Sequence, residues 1–112
     1  MEDEALTPLR RIAGVAAAYI VGPQGIVSGA GDDRLSQVQG NLLAAIIGAL
    51  RQATADLGVG ALGETILEAE GGAVVAGMLP NDRAAVVLAN DRSSLGMIRV
   101  ELRRLRRLRR GA

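Results

Sequence analysis

The chain has 112 residues, enough for one domain with its own core, and 49% of them are hydrophobic, which argues against disorder. It contains no cysteine and no histidine, which excludes disulfides and thiolate nucleophiles and removes the usual zinc ligands and the commonest general base. The net charge is only +1 but is unevenly distributed, because residues 99–112 hold seven arginines and one acid (+6) while residues 1–98 hold six arginines and eleven acids (−5).

The first third of the chain predicts a short helix followed by a hairpin. In "LTPLRRIAG", Thr7 is suited to cap a helix, Pro8 to its first turn and Gly14 to the position after its end. Residues 15–21, "VAAAYIV", form an apolar run of strand length. The turn residues "GPQG" then lead into a second strand, "IVSGA".

The longest helical stretch runs from Arg34 to about Leu57 and is apolar on two sides. One stripe at helical spacing comprises Leu35, Val38, Leu42, Ile46, Ala49 and Ala53. A second, about a hundred degrees away, comprises Leu43, Ile47 and Leu50. One stripe covers the sheet, and the other needs a second cover, either another helix of the chain or a second copy.

Three strands and a helix complete the order αββαβββα. The strands are residues 62–70, which carry charge on one face, and residues 73–79 and 84–89, which are apolar on both faces. Asp91 or Ser93 is placed to cap the last helix. We expect one α/β domain over residues 1–112, with residues 1–5 and 109–112 frayed. Its five-stranded antiparallel sheet has helices on both faces and the third strand at an edge.

Four stretches, in this order, resemble the roadblock / dynein light chain family: "RIAGVAAAYIVGPQGIV", "LLAAIIGALRQATADLG", "ETILEAEGGAVVAGML" and "AAVVLANDRSSLGMIRVELRR". The resemblance spans residues 6–105. It implies a profilin-like layered fold and a homodimer in which the middle helices pair and the third strands join two sheets into one. Family members are non-catalytic subunits that bind and regulate small Ras-like GTPases, or adaptors in larger assemblies, and the bacterial motility regulators among them stimulate hydrolysis by a partner GTPase.

The doubly apolar helix and the half-polar strand independently favour self-association. A second copy would bury the spare stripe of the helix, and the edge strand would meet its symmetry mate. The predicted dimer interface comprises Leu43, Ile47, Leu50, Thr54, Glu64, Ile66 and Glu68.

Two motifs invite chemical interpretations that their context does not favour. "GVGALG", residues 58–63, matches the dinucleotide pattern, but a helix precedes it and a strand follows, which is the reverse of the required order. Glu64, Glu68 and Glu70 share one face of a strand, yet edge strands commonly carry charge to prevent unwanted pairing. We expect no catalytic group, cofactor or metal site.

Arginines in the later loops and in the C-terminal turn are the candidate partner contacts. One supplied in trans stabilises the transition state of a GTPase, and the more ordinary interpretation is a solvated charge. The leucine stripe of the last helix packs to Leu105, after which the helix projects as a basic tip; nucleic acid or anionic membrane is a further candidate there. The contact residues are predicted to be Arg83, Arg92, Arg106, Arg107 and Arg110.

The sequence therefore predicts a non-catalytic homodimeric module that binds a small Ras-like GTPase and regulates it, either as a GTPase-activating protein or as a scaffold. The alternative is a structural adaptor subunit of a larger complex with no effect on nucleotide hydrolysis. No specific nucleic-acid partner and no membrane span are expected, and the acidic "MEDEA" start is unlike a signal peptide, so the expected location is the cytoplasm.

Overall fold

A computed structural model describes residues 2–30 and 36–110, which follow the expected order of elements. The helices are α1 (Glu2–Arg10), α2 (Gln37–Asp56) and α3 (Leu95–Arg110), with one 3₁₀ turn (Arg92–Ser94) before α3. The strands are β1 (Val15–Gly22), β2 (Gly25–Ala30), β3 (Glu64–Ala69), β4 (Gly72–Leu79) and β5 (Arg83–Ala89).

The five strands of the described chain form one sheet in the order β2-β1-β5-β4-β3, and every neighbouring pair is antiparallel. The three strands that are apolar on both faces, β1, β4 and β5, lie in the middle, where layers on both sides exclude water. The half-polar β3 lies at an edge, and β2 lies at the other edge. The predicted sheet and the edge position of its third strand are confirmed.

Each face of the sheet has its own hydrophobic core, because alternate residues of the central strands point to opposite sides. Helices α1 and α3 cover one face and contribute Leu6, Leu9, Ile98, Leu102 and Leu105 to a buried cluster with β1, β4 and β5. Helix α2 covers part of the other face, where Ile47 packs over Tyr19, Val86 and their neighbours. The layered α/β fold with helices on both faces is confirmed.

The structure corrects the start of the first helix. Helix α1 begins at Glu2, so Thr7 is an interior residue rather than the cap, and Pro8 lies inside the helix. The position of Leu6 and Leu9, both buried in the core, shows why the helix extends: its apolar positions stabilise more turns than the cap signal suggested. Fraying of residues 1–5 and 109–112 stays a prediction.

The start of α2 is set by a capping box. The Ser36 hydroxyl accepts a hydrogen bond from the Gln39 backbone N–H, and the Gln39 side chain accepts one from the Ser36 N–H. The predicted start at Arg34, together with Leu35, lies outside the described residues. The pattern Ser-x-x-Gln was present in the sequence and could have fixed the boundary.

Asp91 caps the C-terminal helical segment. Its carboxylate accepts a hydrogen bond from the Ser93 backbone N–H at 3.0 Å, and this bond holds the pKa of Asp91 below its usual value. Along α3, Leu105 is 7% exposed whereas Leu108 is 61% exposed. Packing on the sheet therefore ends within the range expected, and the last turn projects.

Candidate interaction surface

Helix α2 leaves part of its side of the sheet uncovered. Its contacts are chiefly with β2 and β1, at one end of the sheet. Towards the other edge, Val74 and Leu88 are only half-buried and Leu67 of β3 is 41% exposed. A shallow apolar surface therefore extends from the flank of α2 to β3.

The outward side of α2 continues that surface. Val38 and Leu42 are 76% and 60% exposed, and Ala45, Ala49 and Ala53 are exposed on the same side. The spacing of Val38, Leu42, Ala45 and Ala49 is alternately four and three residues, the repeat by which helices pack against each other. We call Val38, Leu42, Ala45, Ala49 and Leu67 the apolar face.

The two stripes of α2 differ in their burial within the chain. Ile47, predicted to lie in a dimer interface, is 7% exposed and packs on the sheet, with Leu43 beside it. A side chain buried within its own chain has little surface left to offer a partner, so Ile47 is not carried into the proposed interface. Leu50 and Thr54 are half-buried at the border of the sheet. The exposed stripe contains Val38 and Leu42 instead.

Strand β3 offers an open backbone edge, since in the described chain it pairs only with β4. Two of its side chains on the α3 side of the sheet, however, are already engaged. Ile66 packs against the α1/α3 core, and Glu64 turns towards α3, so neither contributes its side chain to the apolar face. Glu64 and Ile66 are half-buried by these contacts, and their role in a dimer interface stays a prediction.

Glu64 is held by two arginines of α3. Its Oε1 accepts a bond from Arg99 Nε at 2.7 Å and lies 3.4 Å from Arg103 Nη2, while its Oε2 is buried with no partner in the described chain. Burial raises the pKa of Glu64, but the hydrogen bond from Arg99 and the charges of Arg99 and Arg103 outweigh it and lower the pKa. This carboxylate is a structural anion that joins an edge strand to a helix.

The other acidic and glycine-rich features also have structural explanations. Glu68 lies 3.6 Å from Arg92 on the surface, and Glu70 is exposed. No group of three or more potential ligands in the described ranges could hold a metal ion. Gly58 and Gly60 have positive φ where the chain leaves α2, which is the conformation of glycines that end a helix.

The five arginines predicted to contact a partner differ in their surroundings. Arg106 donates from Nε to the Met78 carbonyl at 2.9 Å and packs over Gly63 and Gly77, so it is a packing residue. Arg92 and Arg107 are exposed. The Arg83 carbonyl accepts a bond from Arg51 at 3.1 Å. The side chain of Arg110 lies outside the part that the structure describes.

No helix in residues 2–30 and 36–110 combines the length and the apolar character needed to cross a bilayer.

Comparison with solved structures identifies the fold. MglB of Myxococcus xanthus superposes with a TM-score of 0.83 at 17% identity, covering 94% of this chain and 88% of that one. A Roadblock/LC7 domain of Streptomyces avermitilis superposes with a TM-score of 0.73 at 18% identity, covering 95% of each chain. The resemblance to roadblock proteins is thereby confirmed in the fold.

Sequence comparison adds an archaeal relative. The protein MJ0714 of Methanocaldococcus jannaschii, described as uncharacterized, is 30% identical over an alignment that covers 93% of this chain and 89% of the relative. No family model matches the chain. The chain belongs to one family with MJ0714, and its fold is that of the roadblock/LC7 domains and MglB.

Proposed function

We propose that the protein is a homodimeric interaction module that binds and regulates a small Ras-like GTPase. The observation that carries the proposal is the apolar face, where a helix and a sheet edge expose the aliphatic side chains of Val38, Leu42 and Leu67 to water. Exposed patches of this kind on a small domain mark sites of association. A second copy is the first occupant, because the outward side of α2 and the edge of β3 both lack a cover in the described chain.

The geometry of such a dimer follows from symmetry. Two β3 strands meeting antiparallel about a two-fold axis join their sheets, and the same axis brings the two α2 helices together on one side. Ala45 and Ala49 have small side chains, so the helix axes can approach closely. Val38, Leu42 and Leu67 would then lose their contact with water.

The proposal of a GTPase partner rests on the roadblock resemblance together with the chemistry of the chain. With no histidine and no cysteine, the protein lacks the commonest catalytic groups, which fits a subunit that acts on a partner. Of the five arginines predicted to contact a partner, Arg92 and Arg107 have exposed side chains and are the candidates for an arginine supplied in trans. Arg106 is a poor candidate because its guanidinium is committed to Met78.

Self-association is tested by light scattering over a dilution series. Ala49→Arg introduces a bulky charge into the apolar face and is expected to give a monomer. Ala55→Arg is the matched control, because Ala55 is equally exposed on α2 but lies on another side of the helix, and it should stay dimeric. A wild-type protein that is monomeric at micromolar concentration contradicts the proposed dimer.

Partner binding is tested by purification of the tagged protein from its source cells, identification of any Ras-like GTPase by mass spectrometry, and reconstitution with that GTPase. Faster GTP hydrolysis in the reconstituted pair, lost in Arg92→Ala or Arg107→Ala, supports an arginine supplied in trans. Binding with unchanged hydrolysis rejects activation and leaves a scaffold.

The second candidate is a structural adaptor of a larger complex. The same apolar face supports it, since a dimer interface is needed in either case. A purified complex that contains no GTPase, with the protein at two copies per assembly, favours the adaptor.

A further inference from the structure

We propose that the outward side of α3 binds the surface of an anionic lipid membrane. This side carries Met97, Val100, Arg104, Arg107 and Leu108, which we call the α3 ridge. It lies on the opposite side of the sheet from the apolar face, so the proposed self-association does not occupy it.

The apolar residues of the ridge are not buried in the core. Met97, Val100 and Leu108 are 60%, 59% and 61% exposed, whereas Ile98 and Leu102 on the inward side are fully buried. At 100° per residue the three exposed residues lie within about 80° of one another on the outward side. A helix needs an apolar stripe on the side that packs, and this helix has a second one in water.

Arginines interleave with these residues. Arg104 and Arg103 have side chains 56% and 52% exposed, and Arg107 is exposed as well. Two acids oppose them: Glu101, 3.5 Å from Arg104, and Glu64, which Arg99 already engages. Because α3 holds seven arginines and one acid, the ridge keeps a positive excess that its own chain does not neutralise.

The combination favours a lipid surface over a nucleic acid. Anionic membranes take arginine at their headgroups and aliphatic side chains at the boundary with the acyl chains, so both parts of the ridge would be used. Nucleic acid would use the arginines alone and leave the three aliphatic side chains in water. The single aromatic residue of the chain, Tyr19, is 3% exposed, so no ring is available for stacking on bases.

The proposed dimer would strengthen this contact. Antiparallel pairing of the β3 edges keeps both copies of α3 on the same face of the joined sheet, so two ridges would face one membrane. This step alone depends on the proposed dimer; the ridge itself is a feature of one chain. The monomeric variant Ala49→Arg should therefore still bind vesicles, but more weakly.

The test is co-sedimentation of the full chain with phosphatidylcholine vesicles, with and without phosphatidylglycerol. Binding is expected only to the anionic vesicles and should weaken as salt is raised. Arg104→Gln with Arg107→Gln should weaken it on the order of tenfold or more. Met97→Ser with Leu108→Ser should also weaken it, although the net charge is unchanged.

The matched control is Gln24→Glu with Asn81→Asp, which lowers the net charge by the same two units at exposed turns. This variant should bind as the wild type does. If the control loses as much vesicle binding as the arginine variant, the binding depends on overall charge alone and the proposal is overturned. The proposal is also overturned if the protein binds duplex DNA or an acidic protein but no vesicles. Light scattering on each variant separates failure of the ridge from failure of the dimer.

Discussion

Arg99 of α3 contacts Glu64 of the edge strand through two nitrogens. Both its Nε and its Nη2 lie 2.7 Å from Oε1 of that carboxylate. The Glu64 side chain is 17% exposed, which is less than any side chain of the pairs Arg51–Asp82, Arg92–Glu68 and Arg104–Glu101. It connects the first residue of β3 to the helix that packs on the neighbouring strand β4. The edge strand is thereby held in register for pairing.

Glu64→Gln should destabilise the protein by about 1–2 kcal/mol, because it removes the charge from a shielded pair and leaves Arg99 and Arg103 without their anion. Chemical denaturation measures the free energy of unfolding. The control is Glu68→Gln, whose partner Arg92 is 3.6 Å away and 65% exposed, and which should change stability by less than about 0.5 kcal/mol. Equal effects from the two variants would show that the Glu64 contact is not special.

The same carboxylate predicts a dependence on pH. The pKa of Glu64 in the folded chain lies below its ordinary value of 4.5, so its contribution to stability is fully present above that pH and is lost as pH falls through the folded pKa. The stability difference between wild type and Glu64→Gln should therefore be constant near neutrality and shrink below about pH 4.5. Denaturation curves over an acid series measure it. A difference that persists after full protonation contradicts the ionic origin.

The fold could be predicted because the strands differ in kind. Only a strand covered on both sides tolerates the apolar runs of β1, β4 and β5, and only an edge strand accommodates the carboxylates of β3. Their lengths and turns left few ways to order the sheet. The packed part of the last helix could also be distinguished from its projecting arginine-rich tip. The leucines recur every three residues, so they rotate away from the packed side of the helix after Leu105.

The interaction surface could be predicted only in part. Both stripes of α2 are apolar, so periodicity revealed that two sides need cover without revealing which side meets the sheet. Gly40 decides it: this residue is buried, and a Cβ there would meet Ile26 at 2.6 Å, so the Gly40 side of the helix lies against β2. Contacts between residues far apart in the sequence, such as Arg106 and Met78, depend on the tertiary structure and cannot be read from the spacing of residue types along the chain.

Truncation of each stripe should give a different result. Ile47→Ala empties space in the core and should lower the free energy of unfolding by about 2–4 kcal/mol. Leu42→Ala removes an exposed side chain, so it should leave the stability of the single chain nearly unchanged and weaken self-association. Denaturation and light scattering over a range of concentrations separate these effects. Weaker association in Ile47→Ala, with undiminished stability, would restore the original assignment of the stripes.

The tight turn between β3 and β4 contains a glycine at which there is no room for a side chain. Gly72 has φ +145°, and a Cβ there would overlap the Ala89 carbonyl oxygen of β5 and approach the Asn90 Cα at 3.3 Å. Because both obstacles are backbone atoms, relief requires β5 or the turn to move. Gly72→Ala should therefore lower the free energy of unfolding by about 2–4 kcal/mol.

Gly71→Ala is the matched control, since a Cβ at Gly71 meets open space and its φ is not in the glycine region. It should be neutral, or stabilising by about 0.5 kcal/mol through a less flexible unfolded chain. Thermal unfolding of the two single variants gives the comparison directly. If Gly72→Ala unfolds no earlier than Gly71→Ala, the close approach of this turn to the end of β5 does not hold in solution, and the register of β4 on β5 would need revision.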